Sequence, residues 1–456
     1  MINLNPQFRS QWSSATSYLL VTLGAIVGLG NIIQFPYLVT KYGGLFFIFF
    51  IICEILISVP LLFAELLIGR RGKQNPVGSI ALLSLESNGS RHWQKLGWLS
   101  VCVCFFILSY YSVNASFPLA YFLGSINVIS LYGADEPSTI AVHGNLLTQF
   151  WPIEICFILY LFATMVVIYR GINRGLESIS KIIVPTYYVV LFILAVYTCY
   201  HGNFMQSLAV LFDMTPNAPI LTVLFAAMSF ALYRLNVGMG MMIVYGSYLP
   251  YSATFGKTTF FIIILDILIS ILAYFIIYPL ILQSGSFISN LNNHNIIYIF
   301  TGVPNGFIIA AFFFLIAVLA AWTCTIAMAE TIVVTLIERF NLSRVFSIII
   351  VMIAVIVVGT FATLTHTNWM DVMITDTIGL QGLAKNISNN ILTPISAFLV
   401  AIFVGWVVKH EVSEAELRLN ASLFSFWRFI IRYIAPLFIL LVGLGAIFIV
   451  FIPTLV

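Results

Sequence analysis

AIVGLGNIIQFP, residues 25–36, lies in the first long apolar run of the chain, where a helix built only to cross a bilayer would carry leucine and valine. It holds Gly28, Gly30, Asn31, Gln34 and Pro36 instead. In hydrocarbon every backbone N–H and C=O needs a partner, so a non-helical stretch at mid-depth survives only where protein or a water-filled cavity surrounds it. Glycines alone also serve close helix packing. Glycines joined to an amide and a proline mark a break, and the break marks a site.

The rest of the chain agrees with a bilayer as solvent. Of 456 residues, 61% are apolar and 8% charged, the composition of an integral membrane protein. Apolar runs of the roughly 20 residues needed to cross hydrocarbon fall near 16–37, 45–68, 97–124, 152–169, 181–200, 219–248, 258–283, 306–337, 345–364, 388–408 and 427–452. They predict an all-α polytopic membrane protein of about eleven transmembrane helices. The opening MINLNPQFRSQW is polar and the first run is too long and too interrupted for a cleaved signal, so insertion is expected to begin with the first span. Lysine and arginine gather in alternate connections: Arg9; Arg70, Arg71, Lys73, Arg91 and Lys95; Arg170, Arg174 and Lys181; Lys257; Arg339 and Arg344; Lys409, Arg418, Arg428 and Arg432. The loops near 125–150, 201–218 and 284–305 have none, which predicts a cytoplasmic N-terminus and an outside C-terminus. The six cysteines all fall in predicted spans, against a disulfide or metal framework. The net charge of +3 reflects the cytoplasmic loops and implies no nucleic-acid partner.

A second interruption, FALYRLNVGMGMM at 230–242, repeats the pattern five spans later: Gly238 and Gly240 echo Gly28 and Gly30, and Asn236 supplies the amide. Gly-interrupted segments in corresponding positions of two halves point to an inverted-repeat transporter with substrate held at the midplane. Residues 12–200 would form the first five-helix repeat, 219–408 the second, and 427–452 an additional eleventh helix. Broken helices expose N-terminal amides to a carboxylate and C-terminal carbonyls to a cation or ammonium, so a small ionic or zwitterionic solute is expected.

GLGNIIQFP followed by GGLFF, then AELLIGRRG at 64–72, YRGINRGLESISKIIVP at 169–185, YGSYL at 245–249, IERFNLSR at 337–344 and PISAFLVAIFVGWVV at 394–408 resemble the neurotransmitter:sodium symporter family over roughly residues 8–450. The bacterial amino-acid transporters of that family, with the leucine-transporter fold, are the most similar. The resemblance implies a secondary active transporter of a neutral amino acid in the bacterial cytoplasmic (inner) membrane, working by alternating access with sodium symport. It places the substrate carboxylate on the amides of Leu29 and Gly30 and the hydroxyl of Tyr111. The pocket would be lined by Ile107, Tyr233, Asn236, Met239, Cys324 and Met328. Read without it, Tyr110 and Tyr111 are equally packing aromatics.

The resemblance also implies two sodium sites. The second would use carbonyls of Gly24, Val27 and Ala320 with side chains at Thr323 and Cys324, where a thiol is a poorer ligand than a hydroxyl for a hard cation. The first would use Asn31 and the carbonyl of Ile26, but its hydroxyl position is Arg234 and its amide position Asp266. Arg234 needs a partner in the membrane. Either it pairs with Asp266, replaces that sodium and reaches the substrate carboxylate, or it pairs purely structurally, with Asp266 or Glu54. The family's chloride positions are Phe50, Phe230 and Arg234, with Ser270 alone retained, so no chloride dependence is expected. Arg9, Trp12, Tyr248 and Glu338 match the inner gate. Gln34 stands in the outer gate, opposite Lys385 or, across an insertion, Asp371. Gly175 and Pro185 match a helix-unwinding spacing in the family, although the sequence alone reads there as a span boundary. Coupling to protons or to nothing is the alternative within the same fold, and an amino-acid-binding sensor the alternative outside transport. No triad or ligand spacing suggests an enzyme, and the sequence leaves a homodimer open.

Overall fold

The computed structural model describes residues 10–125, 149–215, 217–250, 255–284, 296–367, 369, 373–375, 378–379 and 386–451. Nine described helices are long and apolar enough to cross a membrane: Gly44–Gly72, Arg91–Gly124, Phe150–Tyr169, Ile172–His201, Gly256–Ser284, Gly306–Phe340, Arg344–His366, Ile387–Val407 and Ala421–Gly445. The first span precedes them as a bent pair, Ala15–Ile26 and Gly30–Tyr42, whose axes meet at 62°. Two short helices, Ile220–Arg234 and Met241–Ser247, take the sixth place. The order is therefore that of eleven spans with the first and sixth broken. The all-α expectation holds for the spans; among the described residues one antiparallel hairpin, Met373–Thr375 with Ile378–Gly379, adds two short strands.

The breaks sit where the sequence puts residues that leave the helix cheaply. Ser14 caps the first span by accepting from the Ser17 N–H at 3.0 Å, and the helix ends where Val27 turns extended (φ −70°, ψ 125°). In the sixth span Asn236, Gly238 and Gly240 take positive φ (53°, 84° and 69°), a region open to glycine and tolerated by asparagine.

The second span flanks both halves of the sixth. Ser58 Oγ donates to the Ala231 carbonyl at 2.5 Å, and a Cβ on Gly69 or Gly246 would run into the backbone of Ile243 or Leu66, so small residues set the approach. Outward faces carry Trp151, Phe162, Ile182, Tyr200, Ile353 and Phe361, all exposed. Large apolar side chains in such number on the outer faces suit a lipid surrounding. The fifth span corrects the boundary reading at Gly175 and Pro185. The helix starts at Ile172, passes through a π-helical turn Ile172–Glu177 and continues across Pro185 to His201, so both residues lie inside one helix.

Candidate functional site

After Val27 the first span resumes as a π-helical turn, Gly30–Gln34, and its backbone donors turn to side chains. Gly28 N donates to Asn31 Oδ1 at 3.3 Å and Leu29 N to Tyr111 Oη at 3.1 Å. A Cβ on Gly28 would collide with that hydroxyl, while one on Gly30 would meet only Phe230 Cε2 at 4.0 Å. The glycine at 28 is thus what lets the Tyr111 hydroxyl reach the turn. Accepting from Leu29 leaves the hydroxyl its own proton to donate.

Across the break in the sixth span, Asn236 Nδ2 donates to the Ala25 carbonyl at 2.9 Å and to Cys324 Sγ at 3.3 Å, tying the two broken helices to the eighth span. The unwound stretch is held by Glu65, fully buried in the second span, which accepts from Gly238 N at 2.7 Å. Ser396 Oγ donates to the Gly238 carbonyl at 2.6 Å and shares a 3.1 Å contact with Ser100 Oγ.

Between these segments lies a cavity of about 100 Å³, room for several waters or a small organic molecule. Its walls include Ile26, Gly30, Ile107, Tyr111, Tyr233, Arg234, Asn236, Met239, Cys324 and Met328, so the expected pocket residues meet in one place, with Leu29 joined through its N–H to Tyr111. Gly28, Asn31, Gln34, Tyr110, Phe230 and Asn389 complete it. At the rim Tyr110 Oη donates to Asn389 Oδ1 at 3.0 Å and Tyr233 Oη to Asn390 Oδ1 at 3.4 Å. These hydroxyl–amide contacts stand where an ion pair between Gln34's position and the tenth span would otherwise be sought. Lys385 and Asp371 lie outside the described residues.

Arg234 closes the wall beside Asn31. Its Nη2 sits 2.6 Å from Asp266 Oδ2 and donates to the Asp266 carbonyl at 2.8 Å; Nη1 lies 3.6 Å from Glu54 Oε2. Asn31 Nδ2 donates to Asp266 Oδ1 at 2.6 Å. The guanidinium also rests 4.7 Å from the ring centre of Phe50 and 5.9 Å from that of Phe230, within cation–π range. Both candidate partners of Arg234 are therefore engaged at once, Asp266 closely and Glu54 loosely. Ser270 Oγ has no hydrogen-bond partner among the described residues.

Of the residues expected at a second cation position, Gly24, Thr323 and Ala320 lie together. Gly24 packs on Thr323, whose Cβ and Oγ1 would stand 3.2 and 3.4 Å from a Cβ at Gly24. Thr323 Oγ1 donates to the Ala320 carbonyl at 3.0 Å. The extended ψ of Val27 takes its carbonyl out of the helical pattern. Gly24 thus lies on, and Val27 caps, the first-span helix that packs against Thr323 and Ala320 of the eighth, while Cys324 lines the cavity and accepts from Asn236.

On the side predicted to be cytoplasmic, Trp12 N and Nε1 donate to the carbonyls of Tyr248 (3.1 Å) and Tyr245 (3.2 Å), and its ring meets that of Tyr248 edge-on at 5.3 Å. Glu338 accepts from Asn75 N and Nδ2 at 2.7 and 2.9 Å; Arg9 lies outside the described residues. Sequence reasoning passed over Glu330, buried in the eighth span, which accepts from Tyr248 Oη at 3.3 Å and pairs with Arg344 at 2.5 Å. It also passed over Glu65 and Asn389. An acidic residue inside an apolar run is itself the signal for the two glutamates; for Asn389 the signal is the polar run NISNN before the tenth span.

Comparison with known proteins agrees with this geometry. The family model described as the Sodium:neurotransmitter symporter family matches residues 9–132 and 138–454. YhdH of Bacillus subtilis, described as an uncharacterized sodium-dependent transporter, is 26% identical over 96% of this chain and 97% of its own length. An uncharacterized sodium-dependent transporter of Haemophilus influenzae is also 26% identical, over 97% and 99%. The crystal structure of MhsT in complex with L-phenylalanine superposes with a TM-score of 0.86 at 27% identity, covering 96% of this chain and all of that one. A shorter match, 36% over 25% of this chain and 15% of the relative, is to the cattle sodium-dependent neutral amino acid transporter B(0)AT2. With two broken helices lining a shared cavity and a family match over nearly its whole length, the chain belongs to the Sodium:neurotransmitter symporter family, a family of polytopic membrane transporters.

Proposed function

We propose that the chain carries a neutral amino acid across the bacterial inner membrane by sodium symport, with its N-terminus in the cytoplasm and its C-terminus outside. The observation that carries this reading is one cavity with two unlike ends. The turn at Gly30 and the Tyr111 hydroxyl, which accepts from Leu29 N and keeps its own proton, offer donors to a carboxylate beside Arg234, whereas Ile107, Met239 and Met328 form an apolar wall for an uncharged side chain. Methionines adapt to irregular shapes, which favours a range of apolar side chains. The phenylalanine bound to MhsT and the neutral amino acid named for B(0)AT2 support the substrate class.

Sodium is assigned to Gly24, Val27, Ala320, Thr323 and Cys324, where it ties the first span to the eighth. At the first cation position Arg234 takes the ion's place: Asp266 and Asn31 hold the guanidinium, and its remaining donors serve the substrate carboxylate. With Phe50, Phe230 and Arg234 at the chloride positions, transport is independent of chloride. Alternating access rocks the repeat at 12–200 against that at 219–408, with 427–452 outside both. Closure involves Trp12, Tyr248, Arg9 and Glu338 on the inner side, and Gln34, Asn389 and Asn390, with Lys385 nearby in sequence, on the outer side.

Uptake of an amino-acid panel into proteoliposomes, with and without sodium, chloride and a pH gradient, tests the proposal. Sodium-stimulated uptake of apolar amino acids is expected. Failure to bind or move any amino acid refutes it, and uptake that follows pH without sodium favours the proton-coupled alternative raised by Cys324, Arg234 and Asp266.

A further inference from the structure

Two carboxylates and one guanidinium form a buried cluster at the cavity wall, which Arg234 lines. The side chains of Glu54, Arg234 and Asp266 are all 0% exposed, so full ionisation leaves one negative charge without a counter-charge, an arrangement that low-dielectric surroundings penalise strongly. The three are not equivalent. Asp266 is 2.6 Å from Arg234 Nη2 and accepts from Asn31 Nδ2 at 2.6 Å. Glu54 stands 3.6 Å from Arg234 Nη1, outside hydrogen-bond range, and neither of its oxygens has a hydrogen-bond partner among the described residues.

We propose that Glu54 is a proton-binding site coupled to occupancy of the neighbouring cavity: it is protonated when a substrate carboxylate sits beside Arg234, and proton and substrate bind together. The proposal rests on the amino-acid reading above. The proton is the species that fits, because a metal cation would need several oxygens around it, whereas rings of Phe50 and Phe230 cover the guanidinium here.

The elements packed against the turn that carries Glu54 bring few other groups to account for a proton. The first half of the sixth span brings Tyr233, turned to Asn390, and Arg234. The eleventh span brings Tyr433 and Arg432, whose guanidinium lies 4.2 Å from the Trp406 ring centre. On its own helix Cys53 adjoins it, and Glu65 is committed to Gly238. Asp266, on the seventh span, acts through Arg234.

The sign of the coupling follows from charge. A carboxylate entering beside Arg234 meets a set that is neutral when Glu54 is protonated and net negative when it is not. Substrate therefore favours the protonated form, and by reciprocity the proton raises substrate affinity. Affinity falls as pH rises past the Glu54 titration in the empty protein, approaching about tenfold per pH unit for one linked proton.

Two measurements on the full chain in detergent test this. Without substrate, the infrared difference between wild type and Glu54→Gln should contain a carboxylic-acid C=O band at about pH 5.5, present only in wild type, that fades towards about pH 8.5 and is restored there by substrate; no such band at the acid end overturns the proposal. Binding of labelled L-phenylalanine from about pH 5.5 to about 8.5 should weaken with pH in wild type and stay level in Glu54→Gln; an equal slope in both overturns it. Glu54→Asp, which keeps a carboxyl, should shift the band and retain the slope, and it serves if the glutamine variant does not fold. Absence of binding at every pH counts against the amino-acid reading, and the infrared band still decides the state of Glu54.

Discussion

The hydroxyl of Tyr111 and the missing side chain of Gly28 occupy one another's space, and that makes the proposed carboxylate end of the cavity testable as a unit. A methyl at position 28 would overlap Tyr111 Oη, so Gly28→Ala must push the hydroxyl off the Leu29 N–H it now meets at 3.1 Å. The loss is one hydrogen bond to the turn and the hydroxyl's donation to the substrate, about 1.5 kcal/mol or more than tenfold in affinity. Tyr111→Phe removes the same hydroxyl at about the same cost. The double variant places the new methyl in the space the hydroxyl vacates, so its loss should be about that of either single change, about 1.5 kcal/mol instead of about 3. Equilibrium binding of labelled amino acid to the four proteins, with thermal unfolding to confirm folding, measures the cycle. Additive losses, near a hundredfold in the double variant, would refute the shared-space argument and with it the placement of the carboxylate at this turn.

Cys324→Ser restores a hydroxyl beside Thr323, and since a hard cation prefers oxygen to sulfur, the sodium concentration for half-maximal binding should fall several-fold; an unchanged sodium titration argues that position 324 serves the cavity alone. Arg234→Met leaves Glu54 and Asp266 buried without a cation and should destabilise the protein by about 3–5 kcal/mol, visible as early unfolding in detergent and lessened when Asp266→Asn is added. Glu65→Ala strips the acceptor from Gly238 N and should cost about 1–3 kcal/mol, whereas Glu65→Gln, which keeps a carbonyl in reach, should unfold near the wild-type temperature.

The broken helices were legible because their chemistry is local. Glycines, asparagines and a proline within one apolar run announce a departure from the helix, and the structure puts positive φ at Asn236, Gly238 and Gly240. The family resemblance then gathered Ile107, Tyr111, Met239, Cys324 and Met328, which share no local pattern, into one wall. What escaped was the support. Glu65 reaches a backbone amide 173 positions away, and Glu330 meets Tyr248 across 82; nothing in spacing links such pairs. Arg234 was flagged as needing a partner, but only the fold shows two carboxylates meeting it. The fifth-span boundary misled because Lys181 looks like a loop residue. In the structure Lys181 pairs with Glu177, four residues earlier on the same helix, at 2.6 Å, so its charge does not end the helix.

On the proposed reading, a fixed guanidinium in place of a carried ion changes the electrical work of the cycle. Each charge that crosses with the substrate adds about 2.3 kcal/mol per 100 mV of membrane potential, and a cation built into Arg234 returns to its starting point and adds none. With sodium at the second position alone, a zwitterionic substrate would cross with about one net charge. If the Glu54 proton travels too, the number rises to about two, and the electrical drive roughly doubles. The ratio of charge to labelled amino acid in proteoliposomes separates the cases: about two in wild type and about one in Glu54→Gln is the expected pair. A wild-type ratio near one would mean that the proton stays behind. A ratio of two that survives Glu54→Gln would mean that the second charge is a second sodium, and Arg234 would then be a structural ion pair and no substitute for the ion.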